Sequence, residues 1–151
     1  MKTLGSLSLL VALFAGVHAP AAEKESPAAP AAVREDLDAK PAMAAAEAWL
    51  ALIDAGRVRD AWTAASQSFR EAVTPEQWSE AVRAAREPLG AAGARKLLAA
   101  NYTRSLPGAP AGEYVVIQYQ VSFANRPLAI ETVTPMKDRD GAWRVSGYYV
   151  R

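Results

Sequence analysis

The chain lacks cysteine and has a single histidine, His18. The absence of cysteine excludes disulfides, thiol nucleophiles and a lipid-modified N-terminal cysteine, so core packing alone must hold the fold together. The chain also lacks an excess of charge of either sign, since 17 basic and 16 acidic residues give a net charge of +1. It has no run of lysine and arginine that would suit nucleic acid, and we expect no nucleic-acid partner.

Residues 1–22 have the pattern of a secretory signal peptide. Lys2 provides a positive start, residues 4–17 form an apolar run without any charged residue, and small residues follow up to Ala22. The apolar run is shorter than the roughly 20 residues that span a bilayer, which favours a cleaved signal over a membrane anchor. We therefore expect cleavage at Ala21 or Ala22, and a periplasmic or secreted protein without a stable membrane anchor.

Cleavage at that point would also remove His18, the only imidazole of the chain. Without histidine and cysteine, most zinc and copper sites and every triad with a histidine base are excluded. Carboxylate, lysine, tyrosine and serine chemistry remains. We therefore expect no metal and no cofactor.

The rest of the chain divides into a leader and one domain. Residues 23–34 are rich in alanine, proline and charged side chains and have few large apolar groups, a composition typical of a flexible leader. Residues 35–151 have a length that suits a single domain with one core.

Apolar residues at helical spacing predict three helices in the first half of this domain. The first covers residues 35–55 and ends at Gly56, a residue type common just past a helix C-terminus. The second carries apolar residues from Val58 to Phe69. The third begins at Thr74-Pro75, where threonine suits the N-cap and proline the first helical position, and it ends before Pro88.

Beyond residue 93 the apolar period changes from 3.6 to 2, which predicts strands. Four strands are expected over residues 94–104, 113–123, 128–136 and 142–150, separated by short turns rich in glycine, proline and asparagine. Helices followed by a meander of strands predict an α+β fold in which three N-terminal helices pack on a curved four-stranded antiparallel sheet.

This order of elements, closed by a Gly-x-Trp-Arg-Val strand, resembles the cystatin-like and nuclear-transport-factor-2-like cone-shaped folds. The likeness to these cone-shaped folds implies homodimerisation through the sheet face. A more specific set of segments consists of WLALIDAG (49–56), Trp62 with Ser66 and Phe69, Val73-Thr74 with Trp78, REPLG (86–90), PGAPAGEY (107–114), ETV (131–133) and GAWRVSGYY (141–149). With these segments the chain resembles an exported bacterial family known as domain of unknown function 4019, which implies an exported protein without an assigned activity.

Glu131 is the strongest candidate for a functional acid, because it lies in the middle of an apolar strand, where a carboxylate is costly unless it is exposed or paired. On the concave face of the sheet it would be a candidate general base. The alternatives are an exposed side chain or an ion pair with an arginine of a neighbouring strand, such as Arg144. Arg83, Arg86 and Arg95 could bind an anion or hold a helix end to the sheet.

Aromatic residues supply the other candidates. Trp49, Trp62, Trp78 and Trp143 fit core positions and could also line a pocket. The tyrosines at 114, 119, 148 and 149 crowd two strands and predict a docking patch on the open sheet face. The residues selected for ligand binding are Trp62, Arg86, Tyr119, Glu131 and Tyr148.

Two functions from different classes remain open. The first is a non-catalytic module that binds a small molecule or an envelope protein. The second is a histidine-free isomerase or lyase with Glu131 as base and a tyrosine or arginine as electrophile.

Overall fold

The computed structural model describes residues 39–151 of the chain. The predicted signal peptide, residues 1–22, and the predicted leader, residues 23–34, lie outside the described residues. Within the described part of the chain, no helix is both long and apolar enough to cross a membrane.

Helices form the first half of the described chain. They are α1 (Ala39–Asp54), α2 (Val58–Ala64), α3 (Gln67–Ala72) and α4 (Pro75–Arg86), and a 3-10 turn, Glu87–Leu89, follows the last of them. α4 begins as the sequence predicted. The Thr74 side chain accepts a hydrogen bond from the Gln77 backbone N–H, and the Gln77 side-chain oxygen accepts one from the Thr74 backbone N–H, which forms a capping box.

The segment predicted as a single second helix contains two short helices. Ala65 and Ser66 between them have extended backbone, with ψ near 166° and 157°. The Ser66 backbone N–H donates to the carbonyl oxygen of Val145 at 2.9 Å, and the Ser66 side chain accepts from the Phe69 N–H at 3.2 Å. The chain therefore leaves the helical conformation to bond to the sheet edge, and Ser66 starts α3 as its N-cap.

The second half is a four-stranded antiparallel meander in the order β1-β2-β3-β4. Its strands are β1 (Ala92–Thr103), β2 (Tyr114–Phe123), β3 (Arg126–Lys137) and β4 (Trp143–Val150). Register shifts interrupt each of the three pairings, and such irregularities bend and twist a sheet. Helices packed on a curved antiparallel sheet confirm the predicted α+β class, while the likeness to cystatin-like and nuclear-transport-factor-2-like folds stays a prediction.

The main core lies between the helices and one face of the sheet. At its centre Trp78 contacts Trp49, Phe69 and Tyr148, with ring centroids 5.2–6.2 Å apart. Ile117 and Val133, from the two middle strands, are fully buried beneath them. Trp49 and Trp78 are thus core residues, whereas Trp62 and Trp143 are only partly buried at its margin.

Candidate functional site

Glu131 lies at the centre of a buried ionic cluster. Its side chain is completely buried in β3. One carboxylate oxygen, Oε1, accepts hydrogen bonds from Arg86 Nη1 at 2.7 Å and from the Tyr148 hydroxyl at 2.8 Å. Arg95 donates to both oxygens, through Nε to Oε2 and through Nη2 to Oε1. The two Glu131 carboxylate oxygens therefore accept four hydrogen bonds from three side chains.

Asp54, the last residue of α1, completes the cluster. Arg95 donates to its two carboxylate oxygens at 2.6 and 3.0 Å, and Arg86 Nη2 donates to it as well. Two carboxylates and two guanidinium groups then balance in charge. We call Asp54, Arg86, Arg95, Glu131 and Tyr148 the ionic cluster; it ties the ends of α1 and α4 to strands β1, β3 and β4.

Burial and pairing oppose each other in this cluster. Burial alone would raise the pKa of Asp54, but hydrogen bonds from Arg95 and Arg86 outweigh burial and lower it. Burial raises the pKa of the Tyr148 hydroxyl, and the nearby charge of Glu131 raises it further. The pKa of Arg95 is raised, because its bonds to Asp54 and Glu131 exceed the cost of burial. These shifts favour an ionised Asp54, charged guanidinium groups on Arg86 and Arg95, and a neutral Tyr148.

Three of the residues selected from the sequence, Arg86, Glu131 and Tyr148, meet in this cluster. Arg144, the partner suggested for Glu131, does not; it pairs instead with Asp138 and Asp140 in the β3–β4 turn. Arg83 is also outside, on the exposed side of α4, where it pairs with Glu80 and Glu87. The ion-pair interpretation of Glu131 was therefore right in kind, and the choice of Arg144 was wrong.

Sequence reasoning missed Asp54. Its position in the last turn of a helix ending at a glycine gave no sign of burial or of a partner. The sequence shows an acidic residue at a predicted helix end, but it does not show which basic residue pairs with it.

The ionic cluster is poorly arranged for proton abstraction. A general base needs an oxygen lone pair directed at a reactant within hydrogen-bond distance. Four hydrogen bonds from Arg86, Arg95 and Tyr148 already occupy the Glu131 oxygens, and the Glu131 side chain has no exposed surface. The geometry is that of a structural ion-pair network.

Tyr119 lies beside this cluster, since it is the register partner of Glu131 in the β2–β3 pairing. It is buried, and its hydroxyl has no hydrogen-bond partner among residues 39–151. Burial, followed by the charge of Glu47, raises the pKa of Tyr119 to about 12. Tyr119 therefore stays neutral across the physiological range.

The predicted tyrosine patch does not form on the open sheet face. Tyr119 and Tyr148 face the helices within the main core, and Tyr114 is covered by the β1–β2 loop, where its hydroxyl donates to the Pro110 carbonyl at 2.6 Å. Of the four tyrosines only Tyr149 is partly exposed. Strict alternation along β4 would put Tyr149 on the core face with Val145, but the register shift at Thr134–Pro135 brings Tyr148 to that face instead.

An open concave surface lies between the helices and the β3–β4 hairpin. A hollow of about 630 Å³ is lined by Trp62, by Thr63 of α2, by Gln67 and Arg70 of α3, and by the hairpin residues Asp138, Arg139, Asp140 and Arg144. The Trp62 ring is fixed by a 2.7 Å hydrogen bond from its indole N–H to the Val73 carbonyl.

A second hollow of about 450 Å³ shares the lining residue Arg144 with the first. Its walls are largely apolar and come from α1, the end of α2 and β4: Ala45, Ala48, Trp49, Leu52, Ala64, Trp143, Arg144 and Val145. We call the two hollows together the helix–hairpin groove. Of the five residues selected for ligand binding, Trp62 lines this groove, and the other four lie in or beside the ionic cluster.

Within residues 39–151, no group of three or more histidine, cysteine, aspartate or glutamate side chains is placed to hold a metal ion.

Comparison with known families places this arrangement in a wider group. Residues 45–148, more than two thirds of the chain, match the family described as Protein of unknown function (DUF4019). The chain belongs to this family. The match begins within α1 and ends at Tyr148, so it includes both the ionic cluster and the helix–hairpin groove. No curated protein and no solved structure matches the chain.

Proposed function

We propose that this DUF4019 protein is a non-catalytic binding module whose site is the helix–hairpin groove. One observation carries the proposal: the groove is concave and open, whereas Glu131, the general base suggested by the sequence, is fully buried in the ionic cluster. A binding site needs an accessible surface with fixed side chains, and the groove provides both.

The groove has the features of a small-molecule site. Its two hollows fall within the roughly 300–1,000 Å³ that such sites occupy, and their walls combine aromatic rings with a few polar groups. Trp62 is held by its bond to Val73, and Trp143 packs at the margin of the core with the Lys137 ammonium 5.9 Å from its ring centroid. Rings that are already fixed lose little entropy when a ligand binds.

We also propose that the mature protein works outside the cytoplasm. The support is the pattern of residues 1–22, which combines a positive start, an uncharged apolar run and small residues before the expected cut. Cell fractionation followed by N-terminal sequencing tests this directly. A chain that begins near residue 22 in the envelope or medium fraction is the expected result, and an uncut chain in the cytoplasm would contradict it.

Native mass spectrometry of the protein, purified gently from the cells that produce it, tests the binding function. We expect a reproducible added mass of small-molecule size that is lost on denaturation. Ala48→Trp places a bulky ring in the second hollow and should abolish the added mass. Ala84→Trp is the matched control, because Ala84 is also an exposed helical alanine and lines neither hollow.

The outcomes separate clearly. If the wild type and the Ala84→Trp variant carry the added mass and the Ala48→Trp variant does not, the groove is the binding site. If wild-type protein shows only its bare mass, or if both variants keep the added mass, the proposed function at this site is wrong.

A further inference from the structure

We propose that the ligand of the helix–hairpin groove is a small amphiphilic carboxylate, with its acid group between Arg70 and Arg139 and its apolar body along Trp62 towards Trp143. This inference rests on the proposed function and adds the chemical class of the ligand. Four observations support it: the charge balance of the groove, the fixed position of one arginine, the saturation of the acidic residues and the apolar end of the groove.

The polar end of the groove has an excess of one positive charge. Three guanidinium groups, of Arg70, Arg139 and Arg144, face two carboxylates, of Asp138 and Asp140. Arg144 forms ion pairs with both carboxylates, at 2.9 Å to Asp138 and 2.7 Å to Asp140. Arg70 and Arg139 form no ion pair with any residue in 39–151. A net charge of one favours a monoanion.

Arg70 is already positioned for a ligand. Its Nη1 donates to the Ala65 carbonyl and, at 3.0 Å, to the Thr63 carbonyl, which fixes the guanidinium at the end of α2. Carbonyl oxygens orient this cation without neutralising its charge. A guanidinium has five N–H groups, so Nε and Nη2 of Arg70 keep donors for a carboxylate.

The acidic residues of the groove are poorly suited to attract a cation. Asp140 accepts two hydrogen bonds from Arg144 and one from the Ala142 N–H, and the bond from Arg144 is the main reason that its pKa lies well below the usual range. Asp138 accepts from Arg144 and from the Gln67 N–H. A cationic ligand would have to displace Arg144, whereas an anion meets two arginines without acidic partners.

The apolar end of the groove determines the rest of the ligand. Beyond Arg144 the walls are alanines, Leu52, Val145 and the rings of Trp49 and Trp143. An unbranched or aromatic body of about ten carbon atoms would cover this surface, with a favourable transfer free energy of about 0.8 kcal/mol for each buried methylene group. A purely polar acid such as acetate would forgo this contribution.

Isothermal titration of ligand-free full-length protein with four probes of equal chain length tests the inference. The probes are decanoate, decyl phosphate, decyltrimethylammonium and decanol, each kept below its micelle concentration. We expect one decanoate per chain, with decyltrimethylammonium and decanol bound at least about tenfold more weakly, because two charge-assisted contacts are lost. Decyl phosphate, which carries close to two negative charges, should bind more weakly than decanoate.

A pair of arginine variants locates the acid group. Arg139→Ala should weaken decanoate binding about threefold to tenfold, as expected for a partly exposed charged contact. Arg126→Ala is the matched control, because Arg126 is also exposed next to a hairpin turn and lines neither hollow. Raising the salt concentration should reduce the difference between the variants.

Three results would overturn the inference. They are a cationic or neutral probe that binds as tightly as decanoate, equal effects of Arg139→Ala and Arg126→Ala, and no decanoate binding at millimolar concentration. The proposed function would survive each of them if native mass spectrometry still found an added mass that Ala48→Trp removes. The proposed function fails separately if that mass is absent.

Discussion

The Glu131 carboxylate neutralises two guanidinium groups that are themselves largely buried, with side chains of Arg86 and Arg95 only 11% and 18% exposed. Glu131→Gln keeps the shape of the side chain and removes its charge, which leaves these cations with Asp54 alone. Removing one partner from a buried network typically costs about 3–5 kcal/mol. We expect a loss of about 3 kcal/mol in the free energy of unfolding, measured by urea denaturation.

The matched control for that substitution is Glu80→Gln. Glu80 pairs with Arg83 on the exposed surface of α4, where both side chains are more than 60% exposed. Exposed pairs contribute little to stability, so this variant should unfold close to the wild type. Equal effects of the two substitutions would show that the ionic cluster does not stabilise the fold.

Asp54 predicts a dependence of stability on pH. Its pKa is lower in the folded chain than in the unfolded chain, where it is about 3.9. The ionised form therefore contributes stability above that value, and the contribution is lost as the pH falls through the folded pKa. Asp54→Asn should destabilise the protein by about 1–2 kcal/mol at pH 7. The difference from wild type should vanish well below pH 4.

Urea unfolding of both proteins between pH 2 and pH 7 measures this difference. Asp60→Asn serves as a control, because Asp60 forms only an exposed pair with Arg57. A wild-type advantage that stays constant down to pH 2 would contradict the assigned role of the Asp54 charge.

At the scale of single residues, the sequence revealed that Glu131 was unusual but did not identify its partners. An acid between apolar neighbours identified Glu131, because burying an unpaired carboxylate is costly in any fold. Its partners, Arg86 and Arg95, are 45 and 36 positions away in sequence. Strand alternation assigns a residue to a face, but it does not specify which arginine of another element reaches that face.

Ser66 determines where one predicted helix becomes two. Its hydroxyl caps α3, and its backbone N–H bonds to Val145 at the edge of β4. Ser66→Ala keeps the backbone contact and removes the cap, which should cost about 1–2 kcal/mol because the site is fully buried. Thermal unfolding measures the loss, and Thr63→Ala, at an exposed position of α2, is the control. A negligible effect at Ser66 would show that the sheet contact alone sets the break.

Helix starts with complete capping signals were predictable, whereas this break was not. Thr74, Pro75 and Gln77 determine the start of α4 through local hydrogen bonds, which a sequence pattern captures. Across the break, Ala61, Ala65 and Phe69 keep helical spacing and are all buried. The apolar pattern therefore continues through a segment whose backbone leaves the helix to bond to a strand about 80 residues later.

For the molecule as a whole, the change of apolar period gave the α+β class, because each period matches one kind of element. The helix–hairpin groove was not predictable in the same way. Its walls come from α1, α2, α3 and the β3–β4 hairpin, and only their packing brings Arg70 near Arg139. Homodimerisation through the sheet face stays a prediction, now without the support of a tyrosine patch.

The ionic cluster and the helix–hairpin groove differ in burial and in charge. The ionic cluster joins helix ends to the sheet around the fully buried Glu131, while the helix–hairpin groove is open and has one more guanidinium group than carboxylates. The central claim is that ligands bind in the groove and leave the cluster unchanged. The tryptophans report on both, since Trp62 and Trp143 line the groove and Trp78 packs against Tyr148.

The most direct test compares the four indole N–H signals in nitrogen-15 NMR spectra of the protein as isolated and after denaturation, dialysis and refolding. Tryptophan-to-phenylalanine variants assign the signals. We predict that the Trp62 and Trp143 signals differ between the two preparations and that the Trp78 signal does not. Coincidence of all four signals, or a change confined to Trp78, would contradict the claim that the groove is the binding site.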